Sequence, residues 1–244
     1  MDDAPSIAAN IARVHAEIAA ACARAGRSPD EVTLIAVSKT HPASALLAAA
    51  QAGITHFGEN RIEEAEGKIP TVNAALTVPP TWHMIGHIQS RKAKLIPPLF
   101  DVVHSVDSVK LAEKLAAQAG GRTLDIFLEV NVSGEETKEG LSAVGWEEHE
   151  AVRAALWPTL KKIFAISHLN VRGLMTMAPY EAEAEATRPV FRSLARLRAA
   201  LRDSFGVALP DLSMGMTNDY TVAIEEGATL VRVGRAIFGE RGSA

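Results

Sequence analysis

The chain has 244 residues, 48% hydrophobic and 22% charged, with a formal net charge of −4. That balance belongs to a globular domain rather than a disordered or fibrous one, and the negative sign removes the electrostatic footprint that nucleic acid or an anionic lipid surface would require. A single cysteine, Cys22, leaves no intrachain disulfide; with an acidic start and no 18-residue apolar run, the expectation is a soluble protein of the cytoplasm with no membrane partner.

Ile7, Ile11, Val14 and Ile18 recur at 4-3-4 spacing and predict an amphipathic helix ending near Gly26. The pattern then changes to short β-branched runs separated by helical stretches. Eight strands are predicted, at 33–38, 55–59, 82–86, 102–106, 125–131, 171–175, 211–215 and 229–234, most of them apolar on both faces, as in a parallel sheet covered by helices. Helical segments lie between them, among them PASALLAAAQAG, NRIEEAEGK, SVKLAEKLAAQAG and the stretch around EAEATRPVFRSLARLRAALRD. Gly53 and Gly120 follow helical runs as stop signals, and Pro42 suits a first helical turn. Residues 146–169 predict one extended helix that Pro158 kinks or breaks. Strict alternation without a hairpin signal implies parallel strands and right-handed crossovers. The reading is a single domain over 1–244, a (β/α)₈ TIM-type barrel with an extra N-terminal helix. The alternative is a doubly wound open sheet, but the first strand runs into VSKTHP where that fold would carry G-x-G-x-x-G.

In a barrel, chemistry gathers at the C-terminal ends of the strands, and phosphate sites are built by the last two βα loops. After the seventh predicted strand comes Ser213-Met214-Gly215-Met216-Thr217; after the eighth comes Gly234-Arg235-Ala236. Glycine admits an anion close to the backbone, and hydroxyls beside a helix start supply donors. Either turn alone is an ordinary strand-to-helix turn; together they form a candidate phosphate cup. Lys39 follows the apolar run LIAV, where partial desolvation at a barrel mouth would favour a neutral, nucleophilic amine able to form an imine. In isolation such a lysine is a surface residue at a strand end. Arg232, inside the last strand, marks either a site group or an ion pair, for example with Glu129. His83 and His87 are four apart but in strand-and-turn context, so no metal site is expected. Neither G-x-S-x-G nor G-x-x-x-x-G-K occurs.

The segments AVSKTHP, HFGENRIEEAEGK, WHMIGHIQSRK, VHSVDS, EVNVSGEETKEG, RGLMTMAP and SMGMTNDYTVAIEEGATLVRVGRAIFGER together resemble the pyridoxal phosphate homeostasis protein family, also called the proline synthase co-transcribed family, from about Glu31 to Arg241. The resemblance implies one barrel carrying pyridoxal 5′-phosphate (PLP), similar to the N-terminal domain of alanine racemase and of eukaryotic-type ornithine decarboxylase. It places Lys39 on the Schiff-base lysine and Asn60 near the cofactor ring. Ser213, Gly215 and Gly234 fall on the phosphate cup, and Arg232 on the ring-nitrogen contact. The sequence departs from the family pattern at GHIQSRK, at His87 and Arg91.

An arginine beside the pyridine nitrogen keeps that nitrogen unprotonated and makes the ring a poorer electron sink. An alanine racemase also takes a second acid/base, a tyrosine, from a separate β-domain; with ten residues after Gly234, only Tyr180 and Tyr220 are to hand here. The expectation is a PLP-binding protein that stores, buffers or delivers the cofactor, possible recipients being PLP-dependent apo-enzymes, acting as a monomer without established turnover. The alternatives are a stand-alone amino-acid racemase or other PLP enzyme, and a plain phosphate-ligand barrel in which Lys39 forms no imine.

Overall fold

The structure, a computed structural model, describes residues 6–135, 138–179 and 183–239. Among the described residues nine strands are formed in order: β1 Thr33–Val37, β2 His56–Glu59, β3 Thr81–Met84, β4 Val102–Val106, β5 Leu124–Asn131, β6 Leu141–Ser142, β7 Leu169–Met175, β8 Asp211–Met216 and β9 Leu230–Val233. All pairings are parallel. β1 pairs with both β2 and β9, and β4 pairs with β5, so eight strands close into a ring. The open-sheet alternative is thereby eliminated. The ninth strand, β6, pairs with β5 outside that ring; two residues are too few to leave a period in the sequence.

The helices are α1 Ile7–Arg24, α2 Ala43–Gln51, α3 Ile62–Ala75, α4 Val109–Gln118, α5 Glu150–Phe164, α6 Arg188–Phe205, α7 Tyr220–Glu225 and α8 Arg235–Phe238. The α1 helix starts at Ser6, whose hydroxyl accepts the Ala9 N–H, and buries Ile11, Val14 and Ile18. It is fastened over the last two barrel helices: Asn10 and Arg13 donate to the Ile237 and Ala236 carbonyls, and Arg27 to those of Ile224 and Ala228. Pro158 does not break α5, which runs through it with Leu156, Leu160 and Ile163 buried on both sides. Pro70 is likewise carried inside α3, which extends beyond the predicted segment. In both helices the packed face outweighs the backbone bond that proline forfeits.

Alternation along the strands sorts side chains into two compartments. Ile35, Val102, Phe127, Met175 and Leu230 fill the barrel interior, while Leu34, Ala36, Phe57, Trp82, Met84 and Val103 belong to the shell under the helices. The same period carries Val37 and Lys39 onto the interior face at the C-terminal end of β1. No helix among the described residues is long and apolar enough to cross a membrane.

Candidate active site at the barrel mouth

Lys39 leaves β1 half-buried and opens on a cavity of about 550 Å³ whose wall also includes Asn60, Thr217, Arg232 and Gly234. Thr40, the next residue, has φ +68°, unusual for a β-branched residue. Its N–H is held by Glu64 Oε2 at 2.8 Å, which fixes the sharp turn beside the lysine.

The segment before Lys39 is anchored from behind. Ser38 Oγ donates to Glu59 Oε1 at 2.7 Å; the Lys68 ammonium lies 2.7 Å from the same oxygen and donates to the Ser38 carbonyl at 2.9 Å. Glu59 is fully buried, and burial raises its pKa against the pull of Lys68 and Ser38. The two residues that follow β1 therefore have separate tasks: Lys39 faces the cavity, and Ser38 ties the strand end to α3.

Asn60 follows β2, and its Oδ1 is buried without a hydrogen-bond partner. A buried acceptor left open is costly unless a ligand or water meets it. Gly86 sets the position of this residue: a Cβ there would lie 2.2 Å from the Asn60 carbonyl oxygen, so only glycine lets the two loops touch.

On the opposite wall, Gly215 has φ +93°, and a Cβ on it would lie 2.6 Å from that of Ala223. The absent side chain lets α7 press against β8. Asp219 caps the turn, accepting the Met216 N–H at 2.6 Å, and burial raises its carboxyl pKa against that bond and the charge of Arg232. Gly234 passes close to β1, where a Cβ would stand 3.3 Å from the Val37 carbonyl oxygen. Arg235 donates to Asn218 Oδ1 at 3.1 Å and so joins the two loops.

Arg232 is 5% exposed. Its guanidinium donates to Ser213 O at 2.8 Å, Ser213 Oγ at 2.6 Å and Thr176 O at 2.9 Å. These bonds, rather than an ion pair, hold it: Glu129 acts on it only as a nearby charge. Burial pushes its pKa down to about 10, with Asp219 and Glu129 opposing, so it remains a cation at neutral pH.

The cavity thus brings together Lys39, Asn60, Arg232 and Gly234, with Gly215 bracing one wall from behind. Ser213 is placed differently from the sequence expectation. It is fully buried, and its hydroxyl is engaged by Arg232 and by His104 Nδ1 at 2.8 Å, so it faces the barrel interior instead of donating to a bound anion. The reason is the strand period, which points Ser213 inward. Sequence reading missed Asp219, Gly86 and the Glu59–Lys68 anchor. Asp219 had a legible signal, an N-cap aspartate before an apolar helical run; the others depend on contacts between separate units.

A family model described as alanine racemase, N-terminal domain, matches residues 7–242. A Pseudomonas aeruginosa protein named pyridoxal phosphate homeostasis protein is 44% identical over 97% of this chain and 96% of its own. The chain belongs to the pyridoxal phosphate homeostasis protein family. A solved structure of a relative of this family's members, PipY of Synechococcus elongatus with PLP bound, is 37% identical with a TM-score of 0.75, covering 91% of this chain and all of that one (100%). Alanine racemase from Corynebacterium glutamicum, at 18% identity and a TM-score of 0.63, shares the fold over 93% of this chain and 60% of its own.

Against the pyridoxal phosphate homeostasis protein pattern, the departures at His87 and Arg91 lie outside the cavity wall. His87 Nδ1 sits against the carboxylates of Glu139 and Asp107, 3.6 Å from the latter, on an exposed part of the barrel mouth. Among the described residues this is the one group with a cation-site donor set. Arg91 donates to Gln89 Oε1 at 3.0 Å within its own turn.

Proposed function

We propose that the cavity holds pyridoxal 5′-phosphate through an imine to Lys39, and that the protein stores, buffers or delivers this cofactor in the cytoplasm, as a monomer. The observation that carries the reading is the shared cavity, in which a strand-end lysine meets a buried arginine and an unpartnered Asn60 Oδ1. The residues fit the group: Asn60 supplies an open acceptor, and Gly234 leaves the β9 turn without a side chain where an anion could approach the backbone. When bound, the cofactor supplies an aldehyde that condenses with a lysine amine. Arg232 would meet the ring nitrogen as a donor that stays charged, since arginine does not yield its proton there. The names of the relatives and the PLP-bound PipY support the same ligand.

The carrier reading is preferred to a racemase because Tyr220, the tyrosine candidate among the described residues, does not line the cavity. Tyr220 is 2% exposed and hydrogen-bonds to Glu17 on α1, away from the cavity. Tyr180 lies outside the described residues. Borohydride reduction followed by peptide mass spectrometry is expected to find a pyridoxyl adduct on Lys39, and Lys39→Ala to remove it while the protein stays folded. No adduct would favour a barrel that binds a phosphate ligand without covalent attachment. Sustained α-deuterium exchange into amino acids in D₂O, far above the rate of free PLP, would overturn the carrier reading. Mixing the loaded protein with a PLP-dependent apo-enzyme tests delivery.

A further inference from the structure

The barrel interior contains a polar file that no part of the proposed function uses. His56 Nδ1 lies 2.9 Å from His83 Nε2, His83 Nδ1 lies 2.8 Å from His104 Nε2, and His104 Nδ1 lies 2.8 Å from Ser213 Oγ, which also receives Arg232. The residues come from β2, β3, β4 and β8. Register explains the alignment: Thr81 pairs with His56 and Val102 with His83, so each successive histidine stands two residues further along its strand. At roughly 3.3 Å per residue each step advances the Cα position about 7 Å along the tilted strands, and successive rings stand 5.2 and 5.0 Å apart. The file therefore rises from His56, half-buried at the N-terminal end of the barrel, to Ser213 beneath the cavity. His104 is also stacked on Phe127 at 4.5 Å.

Hydrogen-bond counting fixes the direction of this file. Arginine can only donate, so Ser213 Oγ must accept from Arg232. The hydroxyl has one proton, and its one remaining partner among the described residues is His104 Nδ1. Ser213 thus donates to His104, which must carry its proton on Nε2 and donate to His83 Nδ1. His83 repeats the pattern toward His56 Nδ1, and His56 presents Nε2–H to the outside. The reverse arrangement would leave the Ser213 proton buried with no acceptor, which is costly.

We propose that His104, backed by His83 and His56, is a positioning residue for Arg232: the file commits the Ser213 proton away from the guanidinium and keeps a lone pair aimed at it. Arg232 is then held in one orientation under the cavity. Neutral imidazoles suit this task, because a charged one would face the arginine. Burial lowers the pKa of all three, that of His83 to about 3, and the charge of Arg232 adds to the lowering for His104.

The tautomers are readable in the protein without ligand, whereas the consequence for the cofactor rests on the function proposed above, so the two can fail separately. Long-range ¹H–¹⁵N NMR at neutral pH is expected to show His56, His83 and His104 as neutral Nε2–H tautomers. An Nδ1–H tautomer or an imidazolium at His83 or His104 would overturn the proposal. In His104→Leu, PLP affinity is expected to fall about fivefold, the scale of one lost hydrogen bond, with a shifted visible band. His104→Gln, whose amide can accept from Ser213 and donate to His83, is expected to restore both. Unchanged affinity and spectrum in the leucine variant, or equal damage in both variants, would reduce the file to packing and overturn the positioning role. If the leucine variant does not fold, the tautomers of the unaltered chain and the behaviour of the glutamine variant decide.

Discussion

Glu129 faces the barrel mouth at 4% exposure, and its carboxyl is lifted from the ordinary 4.5 to about 7. Burial is the main cause; the charge of Asp107 adds to it, and Glu139 adds less, while Arg232 opposes both. At 1.36 kcal/mol per pH unit, the lift is worth about 3 kcal/mol at most. The sign follows from linkage: a carboxyl whose folded pKa lies above its unfolded value stabilises the fold fully below pH 4.5, and that contribution is lost as pH rises through 7. Glu129→Gln imitates the protonated acid at every pH. Urea unfolding of the ligand-free protein should therefore find the variant close to the parent at pH 4.5 and more stable by up to about 3 kcal/mol at pH 8. A difference that does not change with pH would refute the reasoning. A variant less stable at pH 8 would do so more directly, because it would mean that the carboxylate is favourably paired in the folded protein.

Gly86→Ala would push a Cβ to 2.2 Å from the Asn60 carbonyl oxygen, and is expected to cost about 1–3 kcal/mol in chemical denaturation and to weaken PLP binding by displacing Asn60. Gly215→Ala combines a φ of +93° with a 2.6 Å contact to Ala223, so the expected loss is larger, about 2–4 kcal/mol; a loss under about 0.5 kcal/mol in either variant, the range of an ordinary surface substitution, would refute the close-packing argument. Lys68→Met leaves the fully buried Glu59 carboxylate without its counter-charge and should lower stability by about 3 kcal/mol, while Glu59→Gln in the same background, which imitates the neutral acid that burial favours, recovers part of it.

The amino-acid sequence by itself settled the barrel, because the apolar runs and the helical periods between them are local patterns that one strand or helix expresses alone. Lys39 was legible only in company: taken alone it is a strand-end lysine two residues past β1, and the two glycine turns with the family resemblance singled it out. The tertiary structure decided what Arg232 and Ser213 do. An arginine in an inward register needs acceptors, and whether they come from Glu129 or from Ser213 and Thr176 depends on the stagger between neighbouring strands. Ser213 looked like an anion donor in its turn, yet the closed sheet points its hydroxyl at His104. The histidine file has no signature at all along the chain, since 27 and then 21 residues separate its members. Only the closure of the ring, which sets β2, β3, β4 and β8 around one interior at fixed register, brings those imidazoles into a line.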